Sequence, residues 1–288
     1  MKITMKDYTY LIGSLLMGLS TVTLAGAMGT EVAASPGTLY IGGFGGGGGA
    51  QSAALVQKGT ALYNYDAVHV YLDNAGPLAV NALGQSKSAG VWMAGGQIGY
   101  RFPDRSLANF YSDWTIAPAV ELEGYYLGRS TMRGDDINNE TDRLAEHDFQ
   151  VTYPMNTGVF LVNFVVNSST ERLGNFHPYV GVGAGVAGVS ISGANSLQTS
   201  PLEAGINHYN SDTSDMAIAL AAQPKVGISW HLQDKTNVFL EYRFLYLSST
   251  NFNFGSTEYP THVATTNWNV RIGSQYFNMV TAGIQFNV

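Results

Sequence analysis

The chain has no cysteine, so disulfides, thiolate metal sites and cysteine nucleophiles are all excluded. It is also poor in charge. Asp, Glu, Lys and Arg make up only 12% of its 288 residues, about half the share usual in soluble domains. What charge there is sums to −7, and a deficit of basic residues argues against a nucleic-acid partner. Beyond residue 30 no long stretch is apolar all round, which excludes a bundle of membrane-spanning helices. The hydrophobic share is nonetheless an ordinary 45%. Apolar and polar residues that alternate and cancel produce such a composition, and a lipid-embedded β-barrel alternates in that way.

The residues in abundance point the same way. There are 34 glycines, suited to curved, closely packed sheets. Tyr (17) exceeds Phe (13) and Trp (4), in keeping with aromatic girdles at the water–lipid boundaries. Lys2 and Lys6, an uncharged run over 8–24 and the small-residue triplet Ala25-Gly26-Ala27 predict a signal peptide over 1–27. Val32-Ala33-Ala34 is a second cleavage site, and a membrane-spanning helix over 8–30 is the competing reading. The remainder divides into a short periplasmic segment, 28–37, and a barrel over 38–288.

Eight strand-like segments follow: 38–46, 90–102, 114–128, 149–167, 178–192, 214–232, 236–249 and 276–288. The connectors alternate. Those over 103–113, 168–177 and 233–235 are short, whereas 47–89, 129–148, 193–213 and 250–270 are long. Bacterial barrels pair short periplasmic turns with long outer loops. The expected fold is therefore all-β, an eight-stranded antiparallel transmembrane barrel. A soluble β-sandwich has no reason to alternate its loops so regularly. The segment 61–72, ALYNYDAVHVYL, has strand character of its own. It is either a hairpin extension within the first loop or the sign of a ten-stranded barrel. The long loops are rich in Asn, Ser, Thr, Gly and Asp, and are expected to bury too little apolar surface for a core of their own.

A period of two sorts the charges onto one face of each strand. Trp92, Ile98, Tyr100 and Phe102 oppose Gln97 and Arg101. Val120 and Leu122 oppose Glu121 and Glu123, and Leu240, Tyr242 and Phe244 oppose Glu241 and Arg243. Val226, Ile228 and Trp230 oppose Lys225. A charge on the lipid face costs roughly 2–4 kcal/mol at mid-bilayer. Arg101, Glu121, Glu123, Lys225, Glu241 and Arg243 are thus expected to share the lumen, three of each sign, as an ion network. Carboxylates at i, i+2 also suit acid–base or metal chemistry, but an eight-stranded lumen is only just wide enough for side chains to fill.

Other patterns are weaker. None of the six histidines has metal-site spacing, so no cofactor or metal is expected. A loop histidine with nothing beside it is expected to be solvated. Gly45–Gly49 lacks the Lys-Ser/Thr of a phosphate loop and reads as a flexible strand exit. Asp135, Asp136, Asn138, Asn139, Glu140 and Asp142 carry oxygen ligands without EF-hand spacing, and read as a solvated acidic loop.

Three stretches carry a family resemblance. They are PYVGVGAGVAG from Pro178, VFLEYRFLY from Val238 and the closing MVTAGIQFNV. With the signal peptide they resemble opacity-type outer-membrane β-barrel proteins, surface antigens of Gram-negative bacteria. The likeness is strong over 178–288 and only architectural over 38–167. Pro178, Tyr179, Gly181, Gly183 and Gly185 match the family's glycine strand, and Glu241, Tyr242 and Arg243 its charged-aromatic strand. The family ends in Phe; this chain ends in Val288, with Phe286 two residues before. The resemblance implies location in the bacterial outer membrane, contact with its lipid, handling by the barrel assembly machinery, and loops at the cell surface that meet a host or environmental ligand. The expected function is non-enzymatic, structural or adhesin-like. The alternative is a small porin, since glycines 181, 183 and 185 on the inner face would leave the lumen less full. A lipid-modifying barrel enzyme is the remaining reading, disfavoured because no Ser–His pair has suitable spacing.

Overall fold

The structure is a computed structural model, described here for residues 37–65, 71–106, 113–141, 144–200, 202–233, 235–260 and 265–288. The predicted signal peptide lies outside these residues. Fourteen strands are present: β1 (Thr38–Ala50), β2 (Ala54–Tyr65), β3 (Tyr71–Gln85), β4 (Ala89–Arg101), β5 (Arg105–Ser106), β6 (Trp114–Thr141), β7 (Leu144–Thr170), β8 (Phe176–Ser192), β9 (Asn195–Ser200), β10 (Ser214–Gln233), β11 (Thr236–Leu247), β12 (Thr250–Phe254), β13 (Trp268–Ile272) and β14 (Gln275–Asn287).

Eight of them close a ring. The antiparallel pairings run β1–β4–β6–β7–β8–β10–β11–β14 and back to β1. Closure removes every unpaired edge, which is what allows a sheet to sit in lipid. Each ring strand coincides with one of the eight segments read from the alternation of its residues, although 90–102, 236–249 and 276–288 run one or two residues past the strand ends. The outer face carries exposed Ile41, Ile98, Leu122, Phe160, Val162, Val182, Ile218, Leu240 and Ile284. An apolar band of that extent is covered by lipid, not water. Aromatic side chains border it. At one edge Trp92 packs on Tyr126 with ring centroids 5.7 Å apart, and Tyr276 lies beside Phe244 and Tyr246. At the other, Tyr100 packs on Phe102 and Phe176 on Trp230. Trp92 and Phe102 are ten positions apart, roughly 33 Å of strand. Tilted by about 40°, that spans roughly 25 Å, the height of a barrel's apolar belt.

The connectors differ from expectation at the loop end. The interval 47–89 is not a loop. β1 continues to Ala50, and β2 and β3 form an antiparallel hairpin from Ala54↔Gln85 to Tyr65↔Tyr71. Because β1 pairs directly with β4, that hairpin stays outside the ring: the barrel has eight strands, not ten. The polar stretch 129–148 is mostly strand as well. β6 and β7 run past the aromatic border in one long hairpin, with bulges at Leu127/Ser130 and Gly134/Ile137. A bulge at the rim bends the strand where the environment changes. β8 stops at the turn containing Gly193 (φ 82), and β9 takes its place against β7. β12 and β13 form a hairpin from Thr250↔Ile272 to Phe254↔Trp268, running just past the expected loop 250–270, and β13 pairs with β2.

The long loops therefore do have a core, contrary to the compositional expectation. Leu55, Ile137, Phe149, Val151, Tyr153, Ile191, Tyr209, Phe252, Phe254, Trp268, Val270 and Ile272 form one buried cluster. The cause is alternation too short to register in composition: FNF in β12 and WNVRI in β13 each place every second side chain inward. We call this folded region the cap.

Gly45–Gly49 is regular strand rather than a flexible exit, paired on both sides with β4 and β14. Gly46 and Gly48 permit close approach. A Cβ at Gly46 would stand 2.1 Å from the Val280 carbonyl oxygen, and one at Gly48 1.9 Å from that of Asn278.

Candidate functional site

Five charged side chains meet in the middle of the barrel: Glu121 and Glu123 from β6, Lys225 from β10, and Glu241 and Arg243 from β11. None is more than 4% exposed. Moving an ion out of water costs several kcal/mol, so each must find partners. Lys225 Nζ donates to Glu121 Oε2 at 2.6 Å and to Glu123 Oε2 at 3.2 Å, and stands 3.9 Å from Glu241. The Arg243 guanidinium donates to Glu123 and Glu241. It also lies 4.0 Å from the Phe44 ring centroid. Lys225 and Arg243 are direct cross-strand partners, like charges that repel unless carboxylates interleave them.

Neutral donors complete the site. The hydroxyls of Tyr40, Tyr179 and Thr281 donate to Glu121 (2.7 Å) and Glu241 (2.9 and 3.0 Å). The amides of Gln223 and Asn163 each donate to Glu123 at 3.1 Å. Tyr125 in turn donates to Gln223 at 2.7 Å. β6 and β11 lie opposite each other in the ring, so these bonds cross the lumen. Arg243 on one wall holds Glu123 on the other.

Arg101 is the exception among the six expected members. It faces the interior, but nearer the short-turn end, with its guanidinium 5.4 Å from the Tyr40 ring centroid. It joins none of the ion pairs among the described residues. The network is thus three carboxylates to two cations, not the balanced three and three. Alternation gives the face on which Arg101 sits, but not its height, which is set by strand tilt and register.

The two family-like motifs meet here, although about sixty residues separate them. Tyr179 of the glycine strand donates to Glu241 of the charged-aromatic strand. Tyr242 and Phe286 point outward with the lipid-facing residues. The glycines do not leave the lumen emptier. A Cβ at Gly181 would meet Lys225 Cε at 3.2 Å, one at Gly183 the Asn163 Oδ1 at 1.9 Å, and one at Gly185 the Phe160 carbonyl at 1.9 Å. The space they vacate is filled by the polar groups that solvate the cluster and by the neighbouring strand. Above the cluster the interior is packed with Phe44, Met93, Leu127, Leu161, Leu245 and Phe277.

Composition also hid a polar node in the cap. His208 is buried, not solvated, edge-on to Phe149 and Trp268 with centroids 5.4 and 6.0 Å away. Its Nε2 lies 3.3 Å from Glu203. Tyr209 donates to Gln57 at 2.6 Å and shares a 2.9 Å hydrogen bond with Tyr153. Burial pushes both tyrosine hydroxyls up, so they remain donors. Asn210 and Glu258 exchange a reciprocal pair of 2.7 Å bonds. Residues 202–213 are thereby tied to 255–260. In the acidic stretch, Asp135 accepts from Lys87 and from Gln150. Its companions' side chains lie outside the described residues. Among the described residues no group of three or more His, Asp or Glu side chains forms a metal site.

No protein-family model matches this chain, and no curated protein matches it. Solved structures with a related trace include Neisserial surface protein A at 12% identity, covering 86% of this chain and 96% of that one with a TM-score of 0.32. The outer-membrane protein OprG of Pseudomonas aeruginosa gives 14%, 86%, 96% and 0.35. The outer-membrane protease OmpT of Escherichia coli gives 10%, 90%, 99% and 0.29. Likeness this distant carries no weight on its own. The closed ring of eight paired strands and its apolar belt establish the chain as a transmembrane β-barrel.

Proposed function

We propose that this protein is a surface-exposed, non-enzymatic barrel of the bacterial outer membrane, whose cap binds a host or environmental ligand and whose lumen does not conduct. One observation carries the reading: the ion cluster joins opposite walls of the barrel at hydrogen-bonding distance, beneath a packed apolar layer. A pore would require both to part. The cap supports the second half. Binding residues need a rigid support, and here the support is a second hydrophobic core. The terminal strand, with Phe286 near its end, suits recognition by the barrel assembly machinery. The motifs around Tyr179 and Tyr242 keep opacity-type barrels as the family of reference.

Two measurements test this. In planar bilayers the refolded protein is expected to give no unitary conductance steps; reproducible steps would make it a channel. Because the chain lacks cysteine, single-cysteine reporters carry no background. An impermeant maleimide on intact cells should label the Leu202→Cys variant, in the cap at 78% exposure, and spare Arg172→Cys, in the short turn between β7 and β8. The opposite pattern would invert the topology and remove the surface-binding reading.

A further inference from the structure

At the short-turn end the interior opens into a cavity of about 280 Å³. Arg101, Asp104, His177, His231, Asn237 and Asn287 are among the residues that line it. They come from β4, the turn after it, β8, β10, β11 and β14, so the cavity is the mouth of the barrel itself. Arg101 links it to the ion cluster: its guanidinium lies over the ring of Tyr40, whose hydroxyl donates to Glu121.

Three buried polar atoms here lack a partner: Arg101 Nε, Asn237 Nδ2 and Asn287 Oδ1. Asn237 is 95% buried, and its Oδ1 is already engaged by His231 Nδ1 at 2.9 Å. Buried donors are rarely left unsatisfied, because each costs about 1–3 kcal/mol. Among the described residues Arg101 is also the one lumen cation outside the network, lying against the Tyr40 ring instead. A guanidinium and an unpartnered amide N–H converge on one space. Such donors suit an oxyanion. The orphaned acceptor Asn287 Oδ1 asks for a ligand that also donates. Asp104, the single carboxylate on the lining, is exposed at the rim, where water screens it.

We propose that this cavity binds a small phosphate-type oxyanion bearing a hydroxyl, either free hydrogen phosphate or a phosphate monoester. Arg101 and Asn237 hold the anionic oxygens, and Asn287 accepts from a hydroxyl: the P–O–H of hydrogen phosphate, or an alcohol O–H on the organic group of the ester. The site is blind. The cluster above it holds one more negative than positive group, so an anion enters and leaves by the same mouth.

The test uses the mature chain refolded in detergent micelles, titrated calorimetrically with inorganic phosphate, glycerol 3-phosphate, acetate and chloride at matched ionic strength. Saturable one-to-one phosphate binding is expected, weakened at least about tenfold, or 1.4 kcal/mol, by Arg101→Gln. Asn237→Asp, which replaces a donor with a negative charge, should do the same in a barrel whose heat-modifiable gel mobility is intact. Arg271→Gln, exposed in the cap, should bind as the wild type does. Competition by glycerol 3-phosphate would identify monoesters as ligands; its failure would restrict the site to free phosphate. Absence of saturable phosphate binding, equal binding in Arg101→Gln, or acetate binding as well as phosphate would overturn the proposal.

Discussion

Lys225→Met removes a buried cation while nearly preserving side-chain volume, and is the sharpest perturbation of the ion cluster. The ammonium binds Glu121 and Glu123 at 2.6 and 3.2 Å and stands 3.9 Å from Glu241. Without it three carboxylates face one guanidinium. Among the described residues Glu121 then keeps only the Tyr40 hydroxyl as a hydrogen-bond donor. Breaking a buried pair in this way costs about 3–5 kcal/mol. A stranded carboxylate can instead take up a proton. With an ordinary glutamate value near 4.3, that costs about 3.7 kcal/mol at pH 7 and about 1 kcal/mol at pH 5. Destabilisation is therefore expected near 3–4 kcal/mol at pH 7, shrinking toward about 1 kcal/mol at pH 5. Glu121→Gln removes a surplus negative charge rather than creating one and should cost less, about 1–2 kcal/mol. The double variant should be more stable than Lys225→Met alone, because the two sites are coupled. Denaturant unfolding in phospholipid vesicles, followed by tryptophan fluorescence at both pH values, measures all of this. Equal costs for the two single variants, or no change with pH for Lys225→Met, would refute the charge count of three against two.

Gly46→Ala should destabilise the barrel by about 1–3 kcal/mol, since its Cβ would collide with β14, whereas Gly43→Ala, whose nearest atom is 3.9 Å away, should be near neutral; the same unfolding assay compares them. Trp268→Ala should cost about 3–5 kcal/mol of cap stability, expose 250–270 to limited proteolysis and leave the barrel's heat-modifiable mobility unchanged. Loss of the barrel itself would mean that cap and barrel fold as one unit. The hydrogen bond from Lys87, and then that from Gln150, hold the Asp135 carboxyl below the usual aspartate range. Its small contribution is thus present above the unfolded value and lost as pH falls through the folded one. Carboxyl NMR titration should show the lowered midpoint, and Lys87→Met should return it toward ordinary.

A period of two is enough to place all eight ring strands and to sort each charge to the lumen side, because in a lipid-bound sheet one face must be apolar and the next residue must turn away from it. That local rule put Glu121, Glu123, Lys225, Glu241 and Arg243 on the inner face with no knowledge of their partners. It is silent on height. Whether two inward charges touch depends on strand tilt and stagger, which closure of the whole ring decides. Arg101 therefore left the network, and the short-turn cavity it lines appeared in no sequence pattern. The cap went unread for a related reason. β12 and β13 hold only five residues each, too few for a periodic signal, and become strands because they pair with each other and β13 finds an edge on β2. Gly45–Gly49 is the same lesson in reverse: five glycines have no preference for a strand, and the neighbours at Thr281 and Trp92 impose it. What the chain dictates residue by residue is which way each side chain faces; which charges meet, which mouth stays open and which loops fold are decided by the closed sheet, since contacts between distant segments exist only once it has formed.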